Sequence, residues 1–88
     1  MSPRIYVTEI VKPNEGARLL WAAIKAAGSQ AALADKLDVY RSYVSRWLRG
    51  EQKPRLAMRR KLEAYYGIPL DAWDDAPRKT FSLPAHAA

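Results

Sequence analysis

Between Ser29 and Gly50 the sequence SQAALADKLDVYRSYVSRWLRG leaves the chain few ways to fold. Leu33, Ala34 and Leu37 share one face of a first short helix, over roughly Gln30 to Leu37. Val39 points inward from a tight turn, and Val44, Trp47 and Leu48 repeat at helical spacing along a second helix that begins near Arg41 and ends before Gly50. The opposite face of that second helix carries Arg41, Ser42, Ser45, Arg46 and Arg49. A helix this short cannot bury a core alone. Its apolar stripe must therefore press against neighbouring helices while its basic face points outward, which is the arrangement of a helix that docks on DNA.

The spacing is more specific than the composition. Counting from Gln30, alanine falls at the fifth position and apolar residues at the fourth, eighth, tenth, fifteenth and eighteenth (Ala34; Leu33, Leu37, Val39, Val44 and Trp47). This pattern closely resembles the helix-turn-helix of the phage repressor and Cro family, also called XRE, in which a small residue at the position of Ala34 permits the close crossing of the two helices. The resemblance extends over roughly Gly16 to Trp73, because a further helix follows the pair and the phrase GIPLDAW is similar to the family's closing helix. It implies an all-α, compact four-to-five-helix repressor-like domain. The family usually has glycine in the turn where this chain has Asp38, since that residue often takes a left-handed conformation. Asp is among the few substitutes that tolerate it, at a cost relative to Gly of up to about 1 kcal/mol.

Eighty-eight residues make one domain whose modest core makes dimerisation a plausible source of stability. There is no cysteine, so neither disulfides nor thiolate metal sites are available, which fits a reducing cytoplasm. No apolar run approaches the roughly 20 residues that span a membrane, and no signal-peptide pattern is present, so a cytoplasmic protein without a membrane partner is expected. The net charge is +6, and its distribution says more than its total. From Lys36 to Lys61 nine Lys or Arg face only Asp38 and Glu51, concentrating positive charge in and just after the second helix.

Taken in order, residues 1–13 hold RIYVTEIV, which reads as a short strand or extended arm. Such a run either packs Ile5, Val7 or Ile10 on the domain surface or pairs with its copy in a second subunit, and Arg4 could reach a phosphate from it. The domain proper is expected over 14–75. Asn14 is a natural N-cap, Glu15 is well placed in the first turn, and a helix runs to about Ala27 with Ala17, Leu20 and Ile24 on its buried stripe. Trp21 extends or flanks that stripe. Gly28 stops this helix and Ser29 caps the next. A fourth helix is expected over about Leu56 to Tyr66, with Leu56, Met58 or Arg59, Leu62 and Tyr65 or Tyr66 at core-compatible spacing. Gly67 and Pro69 separate it from a last short helix through Trp73. Asp71, Asp74 and Asp75 reverse the local charge and should face away from DNA. Residues 76–88 are rich in Ala and Pro without periodicity and read as a flexible tail.

The resemblance assigns candidate roles residue by residue. The N-terminus of the first motif helix, with Gln30, would abut the DNA backbone. Arg41, Ser42 and Arg46, with Ser45 beside them, lead the second motif helix and are the candidates for base-edge contacts, since Arg can donate two hydrogen bonds to O6 and N7 of guanine. Arg49 lies further along, and the loop EQKPR after Gly50 would place Lys53 and Arg55 along the sugar-phosphate backbone. Tyr40 and Tyr43 either pack against the domain or bind phosphate through their hydroxyls. Leu70 and Trp73, with Ile5 and Val7, are candidates for a dimer interface or for simple core packing.

Nothing in the pattern supports catalysis. His86 stands alone in the expected tail, the acids do not form a metal or acid–base constellation, and no cofactor or metal is expected. The sequence therefore points to a sequence-specific double-stranded DNA-binding transcriptional regulator, a repressor acting as a homodimer on a palindromic operator. The alternative is an antitoxin-type interaction module that binds a toxin or co-regulator and represses its own promoter. RNA binding is disfavoured because the chain lacks a sheet with stacking aromatics or a GXXG loop.

Overall fold

The computed structural model describes residues 13–83, so the strand or arm expected over 1–13, with Ile5 and Val7, lies almost wholly outside the described residues. Four α-helices follow in order, α1 (Glu15–Ala27), α2 (Gln30–Leu37), α3 (Arg41–Leu48) and α4 (Leu56–Tyr66), and a closing 3-10 helix spans Leu70–Asp74. No strand occurs among the described residues, so the fold is all-α as expected.

Local chemistry sets the helix ends. The Asn14 side chain accepts a hydrogen bond from the Ala17 amide at 2.7 Å, and the Ser29 hydroxyl accepts one from the Ala32 amide at 3.0 Å, each satisfying an amide the helix leaves unpaired. Gly28 ends α1 in the left-handed region at φ 103°, with its amide donating to the Ile24 carbonyl at 2.9 Å. Asp38 ends α2 at φ 60° and ψ 48°, the one non-glycine residue of positive φ among the described residues. The turn is thus left-handed as the family pattern implied.

The core gathers the residues that the periodicity marked. Leu20 and Ile24 of α1 meet Leu33, Ala34 and Leu37 of α2 and Val44, Trp47 and Leu48 of α3, and Leu62, Ile68, Ala72 and Trp73 close the cluster. α1 touches α2, α3 and the closing helix, and α2 packs on α3. Burying each large apolar side chain contributes about 1.5–3 kcal/mol against the entropy of ordering the chain. Trp21 is half-buried at the edge of this cluster, so it flanks the stripe. Val39 also packs against it from the turn.

Three expectations change. Leu56, placed at a core position by spacing, is 54% exposed: it is the first residue of α4, whose core contacts come from Met58, Leu62 and Tyr66 further along. Trp73 is fully enclosed by its own chain, with its ring lying directly over Gly16, so it serves the core and offers no surface to a second subunit. The third change concerns the segment after Asp75, expected to be free. The Glu15 carboxylate accepts a hydrogen bond from the Arg78 amide at 2.7 Å, and Leu83 packs against the core, so the chain from Ala76 to Leu83 is fastened across the start of α1.

Glu15 is itself nearly inaccessible at 4% exposure. Its amide donates to the Asp75 carbonyl at 2.9 Å, and its carboxylate also receives the Arg18 guanidinium, with Arg18 Nε at 2.8 Å. The Arg18 hydrogen bonds, joined by the Arg78 amide and opposed by burial, hold the Glu15 pKa down at about 2. One acid thereby ties the first helix to the end of the fold.

Candidate nucleic-acid interface

α3 is held by its apolar side and free on the other. Val44, Trp47 and Leu48 are buried, whereas Arg41, Ser42, Tyr43 and Arg46 are exposed and Ser45 is half-buried. The 3.6-residue period separates the two sets without further help. Tyr40, just before the helix, is 78% exposed. Arg41 and Arg46 form no ion pair among the described residues, so both guanidinium groups keep their donors for an outside acceptor.

The aromatic residues on this surface touch one another. The Tyr40 and Tyr43 rings stack at 6.4 Å between centroids, Tyr43 meets the core residue Trp47 at 6.5 Å, and the Arg46 guanidinium lies 5.9 Å from the Tyr43 ring centre. Between α2 and the start of α3, Ala34, Asp35, Asp38, Val39, Tyr40 and Tyr43 line an open cleft. Gln30 is half-buried at the first position of α2, beside the Ser29 cap.

Past α3 the basic residues divide. Arg55 and Arg60 are exposed, whereas several others are already engaged. Arg49 Nε lies 3.0 Å from the Glu51 carboxylate. Arg59 donates to the carbonyls of Pro54 at 2.9 Å and Leu70 at 3.2 Å, fixing the loop and the closing helix to α4. Lys61 donates to the Leu37 carbonyl at 2.8 Å, satisfying an orphan acceptor at the C-terminal end of α2. These roles of Arg59 and Lys61 were not visible in the sequence, where both belong to a run of three cations.

Asp74, one of the acids expected to face away from DNA, lies against the basic loop after α3. Its carboxylate lies 2.9 Å from Lys53 Nζ and 3.0 Å from an Arg59 guanidinium nitrogen. Hydrogen bonds from Lys53 and then Arg59 hold its pKa below the usual carboxylate range. The closing helix docks on α4 through Arg59, which carries Asp74 back to the loop after α3. Lys53, a candidate phosphate contact, therefore has an intramolecular anion as its partner. The pair is about half exposed on both sides, so exchange with a solvent-borne phosphate costs little. Of the candidate interface residues, Leu70 is half-buried and Trp73 fully buried.

This geometry is that of a tight helix pair presenting a basic second helix. A helix-turn-helix family model matches residues 22–73, more than half of the chain and the whole of α2, α3 and α4. The chain belongs to the helix-turn-helix proteins of the phage repressor and Cro (XRE) type, and it is a DNA-binding transcription regulator. No curated protein and no solved structure matches it significantly. No helix among the described residues is long and apolar enough to cross a membrane.

Proposed function

We propose that the protein is a repressor that binds a two-fold symmetric duplex operator as a homodimer, with the leading end of α3 in the major groove. The observation that carries this reading is the exposure of Arg41, Ser42 and Arg46, unpaired among the described residues, on a helix whose other side is locked in the core. Arg41 and Arg46 offer forked donors suited to guanine, and Ser42 and Ser45 offer hydroxyls suited to any base. Gln30, Arg55 and the loop at Lys53 flank the helix where they serve phosphates.

One such helix brings only three or four side chains to base edges, too few to pick out a single site in a genome. A second copy related by a dyad doubles the readout and places half-sites about 10 base pairs apart. Occluding a promoter requires occupancy alone, which this surface supports, whereas activation requires a further contact.

Selection of the purified protein against a random duplex library at about 0.15 M salt tests the reading. Recovery of one inverted repeat supports it. A single ungapped half-site keeps the reader and removes the dimer. An absence of enrichment overturns the reading and gives precedence to a protein partner such as a toxin. On the recovered site, Arg46→Ala should lose about 1–3 kcal/mol of discrimination at particular bases, while Lys53→Ala should at most weaken all sequences alike.

A further inference from the structure

The candidate reading residues differ in how freely they move. An arginine side chain carries large rotamer entropy, and a guanidinium that must search for its orientation surrenders part of its binding energy on docking. Arg46 is not left to search. Its guanidinium lies 5.9 Å from the centre of the Tyr43 ring, within the range of a cation–π contact. The two residues are three apart on α3, the spacing that makes helix side chains neighbours.

The ring that Arg46 rests on is itself braced. Tyr43 meets Trp47, which is 4% exposed and anchored in the core, and it also stacks on Tyr40 with the planes 24° apart. Tyr40, Tyr43 and Trp47 thus form a ladder along one side of α3 that runs from the core to solvent. Tyr43 is 39% exposed and Tyr40 78% exposed, a degree of aromatic exposure that core packing does not account for.

We propose that Tyr43 is a positioning residue for base recognition: its ring, in contact with Trp47 and Tyr40, holds the Arg46 guanidinium in the orientation from which it reads a base edge. The proposal rests on the reading of α3 as the groove helix and adds to it a residue that acts through Arg46. It differs from a phosphate contact by the Tyr43 hydroxyl, which would strengthen all sequences alike, because orientation of Arg46 affects only the base that Arg46 reads.

The experiment uses the full chain and the duplex recovered by selection, together with duplexes changed one base pair at a time. Arg46→Ala first identifies the base pair whose discrimination it abolishes. At that base pair Tyr43→Leu, which keeps bulk and helix propensity but removes the ring, should lower the ratio of cognate to substituted affinity by about two- to fivefold. Tyr43→Phe, which keeps the ring, should retain that ratio even if its affinity for all duplexes falls. In the Arg46→Ala background, Tyr43→Leu should leave the ratio at that base pair unchanged.

An unchanged ratio for Tyr43→Leu overturns the proposal while leaving Arg46 as reader. An equal fall for Phe and Leu assigns the effect to the hydroxyl and also overturns it. A fall that persists without Arg46 shows that Tyr43 acts on the base by another route, and the proposal fails again. If Arg46→Ala changes no ratio at any base pair, Arg46 reads nothing, and the base-reading role of Arg46 falls together with the proposal.

Discussion

Replacing Gly16 by alanine should destabilise the domain, although helix propensity alone predicts the opposite sign. Gly16 is the second residue of α1, where alanine is favoured over glycine by at most about 1 kcal/mol. A Cβ at this position, however, would stand 2.7 Å from Cε2 of Trp73 and closer still to Cδ2 and Cε3. Carbon atoms need about 3.5–4 Å. The indole cannot withdraw, because it is fully buried between α1 and the remainder of the core. Either α1 shifts away from the closing helix or the indole leaves its seat, and overpacking of this kind costs about 1–3 kcal/mol, occasionally more. The packing term outweighs the propensity term, and for a domain of this size each 1 kcal/mol lowers Tm by about 4–8 °C. Thermal melts followed by far-ultraviolet circular dichroism and tryptophan fluorescence measure the effect. Trp73→Leu supplies a control: it destabilises by itself but makes room for the methyl, so Gly16→Ala should cost clearly less in that background. A Gly16→Ala variant that melts at or above the wild type would refute the packing argument. Equal costs in the two backgrounds would do the same for Trp73 as its cause.

Asp38→Gly should raise stability by up to about 1 kcal/mol in chemical denaturation, because the turn holds this residue at φ 60° and glycine takes that conformation without a Cβ penalty. The Glu15 pKa is held near 2, below its ordinary value of 4.5, so its bonds stabilise the fold fully above pH 4.5 and are progressively lost as pH falls toward 2. The contribution has an upper bound of about 3 kcal/mol. Glu15→Gln should therefore melt lower than wild type at pH 7, and the gap should narrow between pH 4.5 and 2; a gap constant over that window contradicts the assignment. Asp74→Asn should strengthen DNA binding by releasing Lys53. If Lys53 stays on Asp74 in the wild-type complex, the slope of log affinity against log salt steepens by about 0.9 in the variant, and an unchanged slope means that Lys53 already sits on a phosphate.

Local chemistry explains which parts of the fold could be read in the sequence. The Asn14 and Ser29 caps, the Gly28 stop and the left-handed Asp38 turn depend on residues within four positions of one another, and all four lie where the sequence put them. The buried stripes of α2 and α3 depend only on helical period. What escaped involves pairs that are distant in sequence: Gly16 under Trp73, Glu15 with Arg78, and Lys53 with Asp74. Periodicity also misplaced Leu56, because it marks a face without saying how far the neighbouring helix extends along it.

The same distinction governs the electrostatic surface. Nine cations between Lys36 and Lys61 concentrate the positive charge of the sequence in and just after α3. In the fold, Arg49 faces Glu51, Lys53 and Arg59 share Asp74, and Lys61 caps α2 through the Leu37 carbonyl. The cations without such partners among the described residues include Arg41 and Arg46 on α3 and Arg55 in the following loop. Their separation has a physical consequence. Cations spent inside the domain hold the loop and the closing helix in place, and they add little to non-specific attraction, which scales with the number of phosphates neutralised. Of the guanidinium groups left free, Arg41 and Arg46 lie on α3, the helix proposed to enter the groove, where a fork can distinguish bases. Internal pairing therefore lowers the affinity for all DNA alike and leaves untouched the discrimination proposed for α3, so that a larger share of the remaining binding energy would depend on sequence.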